Sequence, residues 1–147
     1  MIPTSIVTGF LGSGKTTLIN KLIKQPGMDK IALIINEFGE IGLDNLLIES
    51  SIENTLVLEN GCICCSIRGD LVDTIINLFA KVKNKEIPQF TRIVIETTGL
   101  AIPGPIIASI IDDIVISKKC ELNNVITLID AQQGTMQIKE YHEAKVQ

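Results

Sequence analysis

The chain has no tryptophan, one tyrosine and one histidine, and aromatic residues make up only 3% of its 147 positions. Aromatic platforms that stack the bases of single-stranded nucleic acid are therefore not expected. Positive charge is also scarce. Thirteen Lys and Arg stand against seventeen Asp and Glu, a net charge of −4. That sign does not suit a surface that gathers phosphate backbones, so no nucleic-acid partner is expected. Long apolar runs are missing too. The longest uncharged stretch, Thr97 to Ile111, contains Pro103, Gly104 and Pro105 and falls short of the ~20 residues that span a bilayer. No basic segment precedes the apolar first ten residues, and Gly12 and Gly14 interrupt the residues just after them, so no signal peptide is expected. The expectation is a soluble, cytoplasmic protein with no membrane partner. In that setting four cysteines point to thiols or metal ligands, not to a disulfide framework.

The remaining composition is ordinary globular material, 46% hydrophobic and 20% charged. Short runs rich in Ile and Val occur at Ser5–Thr8, Ile31–Ile35, Ile93–Ile95 and Val125–Ile129. Apolar on both faces, they fit buried parallel strands. Helical patterns lie between them, from Thr16 to Lys24 and from about Ser66 to Val82, where Leu71, Ile75, Leu78, Phe79 and Val82 recur at spacings of three and four. Pro103 or Pro105 opens a third helix running to about Ile111. Met136 to Gln147 reads as another helix, and Ile48–Leu58 as a small hairpin. The alternation predicts one α/β domain over residues 1–147, a doubly wound, mostly parallel sheet with helices on both faces. The chain stops where such a fold normally continues, so the domain is expected to be incomplete at its C-terminus.

Gly9-Phe10-Leu11-Gly12-Ser13-Gly14-Lys15-Thr16 matches the phosphate-loop pattern G-x-x-x-x-G-K-[ST], with a strand before it and a helix after it. The glycines let the backbone wrap a phosphate with N–H groups pointing inward, and the helix N-terminus adds positive potential there. Lys15 is expected to reach the β- and γ-phosphates and the Thr16 hydroxyl to ligate Mg2+. Arg92-Ile93-Val94-Ile95-Glu96-Thr97-Thr98-Gly99 is a strand ending in a carboxylate. Ligands of open α/β sheets sit at the carboxyl ends of the strands, so Glu96 is expected beside Thr16, holding Mg2+ directly or through water. The Gly99 N–H would then meet a γ-phosphate. Lys15, Thr16 and Glu96 are the candidate catalytic residues.

Three of the four cysteines fall in Cys62-Ile63-Cys64-Cys65. Thiolates are soft ligands suited to Zn2+, Cu(I) or, less usually, Co2+. In an extended segment Cys62 and Cys64 face one side, and Cys65 swings in where the Ser66 helix begins. Two or three ligands suit a site that exchanges metal or is completed by a partner, since closed structural zinc sites use four. Inert core thiols and a redox pair are the alternatives. Cys120 stands apart as core or surface, and His142 reads as an exposed polar residue. The acidic, glycine-bearing stretch Asn36-Glu37-Phe38-Gly39-Glu40-Ile41-Gly42-Leu43-Asp44 follows the second strand. It suits a mobile loop in which Glu37 or Asp44 approaches Mg2+, and Glu37 or Glu40 lends oxygen to the cysteine metal. A solvated acidic turn is the other reading.

Together these motifs resemble the CobW-type metallochaperone GTPases, relatives of the GTPases that deliver nickel to hydrogenase and urease. Val7 to Leu18 is similar to the family's phosphate loop. Asn36-Glu37-Phe38-Gly39, with Gly42 and Asp44, is similar to its first switch. Glu59-Asn60-Gly61-Cys62-Ile63-Cys64-Cys65 is similar to its C-x-C-C metal motif, and Glu96-Thr97-Thr98-Gly99-Leu100-Ala101 to its second acidic motif. The resemblance runs from Thr4 to about Ala131. It implies GTP hydrolysis coupled to loading or release of a transition metal, zinc or cobalt, for a client metalloprotein. It assigns phosphate binding to Gly9, Gly12, Ser13, Gly14, Lys15, Thr16 and Thr17, a switch contact to Glu37, the second switch to Glu96 and Gly99, and metal to Cys62, Cys64 and Cys65. A homodimer is compatible with it. The family's guanine-reading N-K-x-D does not occur in these 147 residues, so the motifs leave open a thiol metal-binding module with a nucleotide handle, or an ATP-using phosphotransferase.

Overall fold

Strands that are apolar on both faces need a helical layer on each, and this chain supplies both. The computed structural model describes residues 1–35, 48–52, 55–58, 62–66 and 70–147. Its elements run β1 (Ile2–Thr8), α1 (Lys15–Leu22), β2 (Ile31–Ile35), β3 (Ile48–Ile52), β4 (Thr55–Leu58), β5 (Ile63–Ser66), α2 (Leu71–Lys83), β6 (Arg92–Glu96), α3 (Pro103–Ile111), β7 (Cys120–Thr127), α4 (Gly134–Glu140) and α5 (His142–Val146). The seven strands form one sheet in the order β3-β4-β5-β2-β6-β1-β7. The pairings within β5-β2-β6-β1-β7 are parallel. The β3–β4 hairpin joins them antiparallel, through β4 on β5. The mostly parallel, doubly wound sheet and the Ile48–Leu58 hairpin are as the sequence predicts.

Side-chain alternation along the strands divides the core into two layers. Ile31, Leu33 and Ile35 of β2 join Val7, Val94 and Cys64, and they are covered by Ile19 of α1 and Ile23 at its C-cap. Ala32 and Ile34 point the other way, joining Ile6, Ile63, Ile93 and Ile95 under Leu71, Ile75 and Leu78 of α2 and Ile110 of α3. The α2 residues lie at i, i+4 and i+7, one stripe of the helix. Asp70 caps α2 by accepting the Val72 N–H at 2.6 Å, and Pro103 starts α3, where no helical N–H is needed.

Four expectations need correction. Residues 63–66 are a strand, not the lead into a helix: the Ser66 backbone pairs with Ile35, and α2 starts at Leu71. Four residues with two thiols carry too little pattern to separate strand from turn. The last strand runs from Cys120 to Thr127 rather than Val125 to Ile129, because at the outer position of the described sheet polar Glu121, Asn123 and Asn124 can extend it. The first strand begins at Ile2, since Ile2 to Thr4 pair with Cys120 to Leu122. The single helix predicted over Met136–Gln147 is two, separated at Tyr141, whose extended backbone (φ −115°, ψ 126°) ends α4. There the Tyr141 ring stacks on Phe10, with centroids 5.0 Å apart.

Ile34 is fully buried, and its backbone is registered between Cys65 of β5 and Ile95 of β6. Replacing Ile34 by Ala is expected to cost about 2–5 kcal/mol, the usual effect of a core cavity. Urea unfolding of the two proteins should show the midpoint falling with little change in slope.

Candidate functional site

The loop between β1 and α1 turns on three glycines. Gly9, Gly12 and Gly14 have φ of 139°, 77° and 93°, in the region that side chains rarely enter. Gly9 is held for a second reason: a Cβ there would lie 2.3 Å from the Leu128 carbonyl oxygen. The Ser13 N–H closes the loop on the Phe10 carbonyl at 3.1 Å, and Gly14 caps α1. The Lys15 ammonium, largely buried, donates to the Gly9 and Phe10 carbonyls at 2.8 and 3.2 Å, inside the curve of the loop. Ser13 Oγ is buried with no hydrogen-bond partner among the described residues. An orphaned hydroxyl in a glycine cradle at a helix N-terminus fits a phosphate group.

β6 brings the carboxylate. Its parallel register sets Val7 beside Glu96, and the Thr16 hydroxyl donates to Glu96 Oε1 at 3.0 Å. Glu96 is only 3% exposed. Thr97 donates its N–H to the Val7 carbonyl and its hydroxyl to Thr8, both at 3.0 Å, so the ends of β1 and β6 are tied together. Gly99 follows against the loop, where a Cβ would come 2.7 Å from Leu11 N. A cleft of about 400 Å³ opens over these groups, lined by Leu11, Gly12, Gly14, Lys15, Thr16, Thr17, Glu96 and Gly99. Seven of these eight carry a role from the sequence. Gly9 and Ser13 belong to the loop that shapes the cleft. Glu37, with Glu40 and Asp44, lies outside the described residues.

The cysteines are distributed differently. Cys62 and Cys64 belong to the α1 layer, as the extended-segment reading expects. Cys65 packs in the α2 layer on the other side of the sheet, because β5 continues through it. The swing into a helix at Ser66 therefore does not occur. Cys62 Sγ donates to the Met28 carbonyl at 3.0 Å. Among the described residues, no three His, Cys, Asp or Glu converge as a metal site. All four cysteines are buried thiols, Cys120 included, and His142 is exposed at the start of α5.

Two contacts carried no signal in the sequence. Leu11 is an apolar x position of the loop pattern, yet its backbone backs Gly99. Gln147, a polar residue at the end of a helical pattern, donates from Nε2 to the Gly99 and Ala101 carbonyls, both at 2.9 Å.

Residues 3–147 match the CobW/HypB/UreG nucleotide-binding domain, and the chain belongs to that family. It is 40% identical over 146 residues to the zinc chaperone YjiA of Escherichia coli (strain K12), covering 99% of this chain and 46% of YjiA. The zinc chaperone CobW of a Sinorhizobium species is 37% identical over 136 residues, with 88% and 37% covered. Zinc-regulated GTPase metalloprotein activator 1 of Schizosaccharomyces pombe is 34% identical over 137 residues, with 89% and 32% covered. The crystal structure of zinc-bound YjiA GTPase from E. coli superposes with a TM-score of 0.79 at 41% identity, covering 98% of this chain and 45% of that one. A zinc-bound triple mutant of YjiA GTPase gives 0.85 at 35% identity, with the same coverage. The chain thus spans less than half the length of the relatives it matches. Among the described residues, no helix is long and apolar enough to cross a membrane.

Burial governs the thiol chemistry. It pushes the Cys64 thiol up from its ordinary 9.0 to about 12, with the neighbouring Cys62 and Cys65 adding to the effect. It pushes Cys65 to about 12 as well, against the pull of Lys81. In the unfolded chain each thiol ionises near its ordinary value, whereas the folded chain keeps the proton. Their contribution to stability is therefore whole below about pH 9 and is lost as pH rises from there towards 12. Urea midpoints measured between about pH 8.5 and 10.5 should fall more steeply for the wild type than for a Cys64→Ala/Cys65→Ala variant.

Proposed function

We propose that residues 1–147 form a GTP-binding and hydrolysing domain that couples nucleotide state to the binding and delivery of a transition metal, zinc or cobalt, to a client metalloprotein in the cytoplasm. The observation that carries the proposal is the Thr16–Glu96 hydrogen bond at the mouth of the glycine loop. It joins, between the first turn of α1 and the end of β6, the hydroxyl and the carboxylate that a magnesium-dependent phosphate site requires. Gly9, Gly12, Ser13, Gly14 and Thr17 form the cradle for the phosphates, and Lys15 balances their charge. Thr16 and Glu96 would hold Mg2+, with Glu37 as a further contact, and the ion would neutralise charge building on the phosphate oxygens. Gly99 would meet the γ-phosphate through its N–H. Guanine as the base and zinc as the metal are supported by the names of YjiA and the metalloprotein activator.

The metal is cargo, held by Cys62, Cys64 and Cys65. Two of these sulfurs share a layer and the third lies across the sheet. Capture by all three therefore requires Cys65 to leave its register with Ile34. It also requires thiols to lose their protons, so affinity should rise with pH. β5 lies beside β2, and β2 beside β6, whose last residue is Glu96. Displacement of β5 thus has a short route to the nucleotide cleft. A homodimer that shares the metal is compatible with an incomplete ligand set.

The test is Lys15→Ala. Losing a charge-assisted contact costs about 1.5–3 kcal/mol, or roughly tenfold or more in affinity. Titration with a fluorescent GTP analogue in magnesium buffer should show at least that loss, with circular dichroism unchanged. Equal affinity in the two proteins would overturn the assignment of the cleft.

A further inference from the structure

The turn that follows Glu96 is held from two sides. The Ala101 N–H closes it on the Thr98 carbonyl at 3.1 Å. On one side Gly99 presses on the phosphate loop so closely that a Cβ would lie 2.7 and 2.8 Å from Leu11 N and Cα. On the other side, Gln147 Nε2 donates to the Gly99 and Ala101 carbonyls, both at 2.9 Å. Two carbonyl acceptors can be met only by an NH2 group, so the amide orientation is set by its partners. Gln147 Oε1 is buried and takes no hydrogen bond among the described residues. The residue is itself anchored, since its main-chain oxygen accepts the Thr127 hydroxyl at 3.0 Å at the end of β7.

From this arrangement we infer that Gln147 is a positioning residue for the γ-phosphate contact. It clamps the Gly99–Ala101 turn to the end of β7, so that the Gly99 N–H is held ready at the cleft. The inference rests on the proposed nucleotide function. It goes beyond that reading by giving a side chain 48 positions away, outside every motif, the task of fixing the turn. Without the clamp the turn must be ordered at the moment of binding, which weakens whatever depends on it. Only a ligand carrying a γ-phosphate depends on it. The cost should therefore fall on the triphosphate and spare the diphosphate.

Two variants test this. Gln147→Ala removes the donors. Gln147→Glu keeps the shape and turns a carboxylate on the two carbonyls. Each should bind a non-hydrolysable GTP analogue roughly tenfold more weakly than wild type, with GDP affinity within about twofold. Hydrogen exchange in the nucleotide-free protein reads the clamp directly, and the amides of Gly99 and Ala101 should exchange at least about threefold faster in both variants. A thermal melt identifies any variant that has lost its fold, and a single folded variant suffices. Parallel losses for both nucleotides, or no loss for either, would overturn the inference, as would unchanged exchange. If the wild type binds neither nucleotide, the functional proposal fails, and the exchange measurement still decides whether the clamp exists.

Discussion

The register of β1 against β6 is the constraint on which the site depends. Val7 stands beside Glu96, and one residue further along the chain from each lie Thr8 and Thr97, joined through their hydroxyls. This pairing delivers a buried carboxylate to the first turn of α1, 3.0 Å from the Thr16 oxygen. A one-residue slip would turn Glu96 to the other face of the sheet and exchange the two core layers. The register is protected by those layers: Ile6, Ile93 and Ile95 need the α2 side, and Val7 and Val94 need the α1 side. Hydrophobic burial thus aligns the polar chemistry.

Close backbone approach supplies the remaining precision. Gly9 meets Leu128 and Gly99 meets Leu11 at distances that leave no space for a methyl group. The phosphate loop is therefore wedged between the ends of β7 and β6 as well as tethered at its own ends. Lys15 completes the loop internally by spanning two of its carbonyls. A cleft with this much fixed backbone can present its N–H groups with little reordering when a ligand enters.

How much of this was legible in the sequence depended on how local the determining physics was. The phosphate loop reads directly, because glycine at positive φ and the Lys-Thr pair are local demands. Glu96 reads through a general rule about strand ends. The cysteines show the limit. Their spacing put Cys62 and Cys64 on one side, but the position of Cys65 depended on whether residues 63–66 pair with Ala32–Ile35, a long-range fact that four residues do not encode. Gln147 was invisible for the same reason, since its partners lie 46 and 48 positions away. Tyr141 is extended where periodicity alone would have continued the helix, and its ring stacks on Phe10, a partner far away in sequence.

On the proposed function, the nucleotide cleft and the cysteine segment are energetically linked through the adjacent strands β5, β2 and β6. Linkage is reciprocal, and couplings of this kind run at about 1–3 kcal/mol, or roughly 5- to 150-fold in affinity. The most direct test is Zn2+ affinity, measured by competition with a chromogenic chelator in magnesium buffer, at saturating GTP analogue and again at saturating GDP. The affinities are expected to differ by at least about fivefold between the two states. Equal affinities would mean that the thiols and the cleft are independent sites, and would contradict the linkage.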